Sequence, residues 1–496
     1  MAGEDGGRIY QPPTAAAVVD GHFPGAAAIE GSLTLIASVD TVGPEPFNAV
    51  IATSPAMMAD DWPIPDGPLR GLPVLLKDNI ETADMPTTAG SLALVDNAPG
   101  RDAPLVTRLR EAGAAILGKA NLSEWANIRS TNSISGWSAV GGQTLNPYDP
   151  ARTPCGSSAG SATAVAMGLA PAAIGTETNG SIVCPASVNG VVGFKPTVGL
   201  VSRTHIVPIS HSQDTAGPIT TTVEDAAIVL TVIAGSDPLD PATVEADARK
   251  VDYRAALDAG SLGGARIGVM RFLIANYSAE TQAEFERALQ AMRDAGAELV
   301  EITEGPDMQA VGASFQVLMT ELKVDLNAYL ASTDPTQVPT RTLADLIAFN
   351  AAEPRETPLF GQELFIRAEA TTGLEDPAYI EARERSFRAA GPEGIDRMMA
   401  THRVVALVAP TTSRAWTNDP ADDDRSQGSS SSLAAVAGYP HLTVPMGFDR
   451  GMPVGISFIG GKWDDAHILS LGHAYEQRTH ERRPPTLVQP SAPNGG

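Results

Sequence analysis

The chain has 496 residues, of which 43% are hydrophobic and 19% charged, and its formal net charge is −24 at pH 7. That apolar content excludes wholesale disorder, and so acidic a balance argues against nucleic acid as the main partner, because phosphate binding needs a basic face. No run of about 18 apolar residues is free of polar interruption, so no membrane-spanning helix is expected.

The first residues, Met1–Asp5, are acidic and are not followed by an apolar h-region, so no secretory leader is expected in the chain as it stands. The compartment stays open: cytoplasmic on that reading, extracytoplasmic if a leader is removed. Residues 72–76 (Leu-Pro-Val-Leu-Leu) form an apolar run of buried-strand type that ends at Lys77-Asp78-Asn79. Residues 104–113 open on Pro104 and place Leu105, Val106, Leu109 and Ala112 on one helical face, which Gly113 ends. Ala115-Ile116-Leu117 reads as the next strand, and helix followed so soon by strand marks a layered α/β architecture. The small, apolar residues 158–170 predict a tightly packed buried helix, residues 223–234 another stopped by Gly235, and residues 280–296 an amphipathic one. Arg266–Met270 and Val404–Val408 are strand candidates. The more polar stretch 307–400 predicts a helical lobe over one end of the sheet. Asp422-Asp423-Asp424 with Ser429–Ser432 predicts one solvated, mobile surface loop. The 47 glycines and 39 prolines punctuate the whole chain rather than marking one linker, which suits short connections in a compact body.

Cys155 and Cys184 are the only cysteines, too few for a disulfide framework and not a Cys-x-x-Cys pair. Both are expected as small buried residues packing the site, with a thiol nucleophile as the alternative. The eight histidines include no His-Glu-x-x-His, and His205/His211 and His467/His473 stand six apart, off the i,i+4 helical spacing. No metal is therefore expected, and no glycine-rich nucleotide loop is present.

The most informative segment is 141–203. It holds Cys155-Gly156-Ser157-Ser158-Ala159-Gly160-Ser161 and then Gly175-Thr176-Glu177-Thr178-Asn179-Gly180-Ser181. Glycine beside each serine cluster lets the backbone turn sharply and approach a ligand. Each cluster also adjoins apolar sequence, where buried N–H groups need partners that a bound oxyanion supplies. Ser158 is central to a Gly-x-Ser-x-Gly string, but a nucleophile elbow needs a strand immediately before it. The preceding Asn146–Pro154 carries three prolines and cannot be a central strand.

Several pieces together resemble the amidase signature hydrolases: Gly71–Asp78, Gly156–Ser161, Gly180-Ser181-Ile182, Gly193-Phe194-Lys195-Pro196-Thr197, and Gly438-Tyr439-Pro440 through Pro453-Val454-Gly455. The resemblance spans about 66–235 and resumes at 433–478. Within the family the chain is most similar to bacterial peptide amidases, which release ammonia from C-terminal peptide amides. That similarity rests on Leu122–Asn127, Ser135–Ser138, Gly175–Thr178 and Gly373-Leu374 through Ala378-Tyr379-Ile380. It implies one α/β/α domain over 1–496, with a large mixed, twisted sheet covered by helices on both faces. The signature core falls at about 66–235, the substrate lobe at about 307–400, and the return to the core at about 404–480.

Carried over by motif, the resemblance implies a catalytic triad of Lys77, Ser157 and Ser181. Ser181 is the nucleophile, Ser157 relays its proton from beyond a cis peptide bond, and Lys77 is the terminal base. Backbone N–H groups of Thr178, Asn179, Gly180 and Ser181 are the implied oxyanion hole, Ser158 and Thr176 are candidate supporting groups, and no metal or organic cofactor is implied. Independently, a lysine can serve as base only if burial brings its pKa from about 10.4 towards 7–8. The apolar run before Lys77 fits such burial, provided Asp78 points away from the amine. Where the common pattern reads Asp-Thr-Gly-Gly-Ser-Ile-Arg, this chain has Glu177-Thr178-Asn179-Gly180-Ser181-Ile182-Val183. Asn179 puts a side chain beside the oxyanion hole, and Val183 removes a charge, which disfavours small acidic substrates. Trp125 and Trp137 read as core or pocket wall. The expected substrate is a peptide or small-molecule amide, with no nucleic acid or membrane partner, acted on by a monomer or homodimer. An aryl, aliphatic or cyclic oligoamide amidase, and one chain of a transfer-RNA-dependent amidotransferase complex, stay open as alternatives.

Overall fold

The computed structural model describes residues 12–41, 46–58, 66–418, 426 and 428–486. Its strands are β1 (Val50–Thr53), β2 (Pro73–Lys77), β3 (Ala115–Ala120), β4 (Trp137–Ser138), β5 (Gly142–Gln143), β6 (Ala172–Glu177), β7 (Val192–Lys195), β8 (Thr215–Thr220), β9 (Arg266–Met270), β10 (Glu298–Ile302), β11 (Ala406–Pro410), β12 (His441–Asp449) and β13 (Met452–Ile459). All but β4 and β5 join one sheet of order β1-β3-β2-β6-β8-β7-β12-β13-β11-β9-β10. Parallel pairs β3–β2–β6 and β11–β9–β10 form two wings, and the antiparallel strands between them make the centre. The sheet is mixed, as expected.

Two-residue periodicity explains how both faces are covered. On β2, Val74 and Leu76 enter one core with Leu105, Leu109, Phe285 and Leu469, whereas Leu75 enters another with Leu117, Val165 and Ala173. The first core is roofed by helices Pro104–Glu111, Val223–Ile233, Ala279–Asp294 and Asp465–Thr479. The second is roofed by Gly25–Leu35 and Ala159–Met167. On the far wing β11 divides likewise, Val408 to the first core and Leu407 and Ala409 to a third with Leu433 and Met398. Strands buried on both faces read as continuous apolar runs, which is why β2 and β3 were legible.

Helix Ala159–Met167 is buried along its whole length. Small residues are required there: a Cβ on Gly160 would lie 2.3 Å from the Ala49 carbonyl oxygen and 2.5 Å from that of Asn121. The strand expected at 404–408 runs Ala406–Pro410, because helix Arg397–His402 ends on left-handed Arg403 (φ 53°) and the chain straightens only after it.

The 307–400 stretch is helical: Ser314–Ser332, Leu343–Ala352, Glu363–Glu369 and Pro377–Ala390 build a lobe. Its Leu322, Leu326, Leu346 and Phe365 pack on Trp125, Val207 and Ile209 of the core. Among the described residues no helix is long and apolar enough to cross a membrane.

The serine-rich loop expectation holds at exposed Ser429 and fails just beyond it. Ser430 and Ser431 are buried, and Ser431 opens helix Ser431–Ala437. Small hydroxyls there meet acceptors on neighbouring segments, a partnership composition does not reveal. Asp422–Asp424 lie outside the described residues.

Candidate active site

Lys77 is the last residue of β2, between the ends of β3 and β6. Alternation puts it on the Leu75 face, towards the segment that leads into helix Ala159–Met167. It is fully buried, and its Nζ lies 2.7 Å from Ser157 Oγ, 2.8 Å from Thr176 Oγ1 and 3.2 Å from the Thr176 carbonyl oxygen. Burial lowers its pKa to about 7, against the opposing pull of the Asp214 and Glu177 carboxylates. Asp78 does turn away, to the Lys119 ammonium at 3.3 Å and the Thr88 hydroxyl.

The Gly156–Ser157 peptide bond is cis. The Ser157 carbonyl accepts from Ser123 N–H at 3.0 Å, and Ser158 N–H donates to the Ser181 carbonyl at 3.1 Å, which ties the two serine segments side by side. Ser158 Oγ accepts from Thr176 N–H (3.2 Å) and donates to the Thr176 carbonyl (3.1 Å), so it clamps β6 rather than facing solvent. Thr176 Oγ1 also accepts from Asn79 Nδ2 at 3.0 Å.

Ser181 follows left-handed Gly180 (φ 83°) and is 9% exposed. Buried Glu177 closes this turn, its Oε2 accepting from Ile182 N–H (2.7 Å) and Val183 N–H (3.0 Å). Thr178 is held by Asp214 Oδ1 at 2.6 Å through its hydroxyl and by Gln213 Nε2 at 3.1 Å through its carbonyl. Burial pushes the Asp214 carboxyl up to about 6, opposed by the Thr178 hydroxyl and the Ser210 and Ile209 N–H groups. Among the described residues, the N–H groups of Asn179, Gly180 and Ser181 donate to no acceptor within the protein. Preorganised, unspent donors beside a hydroxyl suit a developing oxyanion.

Every predicted site residue thus falls in one place. Sequence reasoning missed Asp214, Asn79 and Ser431, which reach this cluster through contacts across 36, 97 and 252 positions of chain. It also misjudged the cysteines. Cys155 and Cys184 form a disulfide, with 6.0 Å between their Cα atoms, joining the segment before Ser157 to the one after Ser181. Counting two cysteines in a long chain discounts a bridge, whereas the pairing of the two serine segments puts them within bonding reach.

A cavity of about 580 Å³ opens on the Thr176, Thr178 and Asn79 side of this cluster. Lys77, Ser157 and Ser181 do not line it. Its walls are apolar Ile206, Val207 and Ile209 from the core, and Ala328, Asp325 and Arg383 from the lobe. His211 bridges core and lobe, with Nδ1 2.9 Å from Asp325 Oδ2 and Nε2 3.2 Å from Glu321 Oε1. His211, Glu321 and Asp325 have the spacing of a small cation site. Glu321, however, already accepts from the hydroxyls of Ser212 (2.6 Å) and Tyr379 (2.7 Å).

A mixed sheet whose strand ends gather a buried lysine and glycine-flanked serines has the parts of a serine-nucleophile enzyme of the α/β class. The amidase family model matches residues 51–469, and the chain belongs to that family. It is 51% identical to the peptide amidase of Stenotrophomonas maltophilia, whose crystal structure superposes with a TM-score of 0.88 over 96% of this chain and 97% of that one. A probable amidase of Arabidopsis thaliana is 39% identical over 434 residues, 85% of this chain and 79% of the relative. A glutamyl-tRNA(Gln) amidotransferase chain of Roseiflexus castenholzii is 37% identical over 435 residues, 86% of each chain.

Proposed function

We propose that the protein hydrolyses unsubstituted carboxamides through an acyl-enzyme on Ser181, and that its substrate is the C-terminal amide of a peptide. The observation that carries the chemistry is the 2.7 Å contact between Ser157 Oγ and the amine of Lys77, a fully buried lysine whose pKa is brought to about 7. A serine hydroxyl needs a base to become nucleophilic, and a lysine with that pKa is half neutral near pH 7. With Nζ neutral, its lone pair takes the Ser157 proton while Ser157 takes that of Ser181, and Ser181 Oγ bonds to the amide carbon. The oxyanion meets the N–H groups of Thr178, Asn179, Gly180 and Ser181. The proton returns through Ser157 to the leaving nitrogen, which departs as ammonia, and water repeats the sequence on the ester. The net change is amide plus water to carboxylic acid plus ammonia, run by one chain without a second protein.

Peptide amides are favoured by the 51% identity to a peptide amidase, and by Val183 at the place where the common pattern has an arginine suited to acidic substrates. The second reading is a component of an amidotransferase complex, supported by the 37% identity to one chain of such an enzyme. The test is ammonia release, without ATP or other chains, from a dipeptide amide, an N-blocked amino-acid amide, an anilide and a cyclic diamide. Release from the peptide amides by wild type, lost in Ser181→Ala, is the expected result. Equal turnover of anilide or cyclic diamide would replace the peptide assignment with a broader amidase. Activity that survives Ser181→Ala would overturn the triad.

A further inference from the structure

We infer that Ser431 is a positioning residue for this hydrolysis: it holds Asn179, and through Asn179 the turn that presents Ser181 and its N–H donors. The inference rests on the proposed role of Ser181 and goes beyond it to a residue far away in sequence.

Asn179 stands where the common pattern has glycine, so the turn before the nucleophile carries a side chain that must be placed. Its Oδ1 accepts from Ser431 Oγ at 2.7 Å, and its Nδ2 donates to Ser432 Oγ at 3.4 Å. The direction of the first bond is set by Asn179 Oδ1, which can only accept. Ser429 Oγ accepts from Ser431 N–H at 3.2 Å and lies 2.9 Å from Ser431 Oγ. The single Ser431 hydroxyl proton therefore goes to Asn179, and the Ser429 hydroxyl is left to donate to Ser431. Ser431 also rests against the next residue of the turn, since a Cβ on Gly180 would sit 3.2 Å from Ser431 Oγ.

The anchor is fixed to the sheet. Neighbouring Ser430 donates to Ser457 Oγ of β13 at 3.0 Å, and Ser457 is bound to the fully buried His441 of β12 at 2.6 Å. On the other side, Thr178 is held by Asp214. Of the three residues before Ser181, Thr178 and Asn179 are tied by side chains, and the Gly180 carbonyl accepts from Cys184 N–H at 2.8 Å. Donors aimed at an oxyanion act only if they are placed before the charge develops, and a misplacement of about 1 Å can cost 10²-fold.

The experiment is a double-mutant cycle on peptide-amide hydrolysis with Ser431→Ala, Asn179→Gly and the double variant, and with Ser181→Ala as the reference for the site itself. Ser431→Ala is expected to lower kcat roughly tenfold with KM within about twofold, as befits donors that act on the transition state. In the Asn179→Gly background, where nothing is left to hold, the same change is expected to move kcat by less than about twofold. Asn179→Ala serves the same purpose if the glycine variant does not fold. An equal loss in both backgrounds, an unchanged kcat, or an effect on KM alone would overturn the inference while leaving the triad standing. Turnover by Ser181→Ala would instead remove the reading on which it rests.

Discussion

Lys77 is the residue on which pH dependence turns. Only its neutral form accepts a proton, and its pKa is lowered to about 7. The log of kcat/KM is thus expected to rise with unit slope up to about pH 7 and then level, so a pH-rate profile on a peptide amide reads the lysine directly. The Thr176 hydroxyl oxygen accepts from Nζ at 2.8 Å, and acceptors of the ammonium favour the charged form. Thr176→Val removes that acceptor, so the acid limb is expected to move to lower pH while the plateau falls. A limb that moves upward, or not at all, would mean that another group titrates.

Two connections hold the elements that carry the serines. The Cys155–Cys184 bridge closes 29 residues of chain around both serine segments. A bridge of this span typically contributes about 2–4 kcal/mol, by restricting the unfolded chain. The Cys155→Ser/Cys184→Ser variant, or wild type treated with a dithiol, is therefore expected to melt earlier in calorimetry and to lose kcat in parallel, because each cysteine lies within three residues of a proposed catalytic serine. The second connection is the small-residue packing of helix Ala159–Met167. Gly160→Ala would drive a methyl into two backbone carbonyls that cannot rotate aside. Overpacking of that kind costs typically about 1–3 kcal/mol and shows as a lowered denaturant midpoint with an unchanged slope.

Over the whole molecule, the cavity exists because a helical lobe closes over the core, and the His211 bridge is one of the ties between them. The hydrogen bond to Asp325 raises the His211 pKa above 6.5, assisted by the charges of Asp325 and Glu321 and opposed by burial and Arg383. A group whose folded pKa is raised stabilises fully below its unfolded pKa and loses that contribution as pH rises through the folded value. Thermal stability of wild type is thus expected to decline over that window by more than that of His211→Gln, and equal slopes would exclude the bridge as their source. What the sequence determined by itself was local. Lys77 and the two serine loops were legible because an apolar run, glycine spacing and short motifs are properties of neighbouring residues. β2, β3 and helix Ala159–Met167 were legible because strands buried on both faces and helices packed against strands leave unmistakable patterns. What only the tertiary structure decided was partnership. The Cys155–Cys184 bond, the Asp214 hold on Thr178 and the conversion of Ser430–Ser432 from an expected solvated loop to an anchor on Asn179 each join segments far apart in the chain. Hydrogen bonds and disulfides depend on distances of a few ångströms, and those distances are set by the packing of the whole sheet.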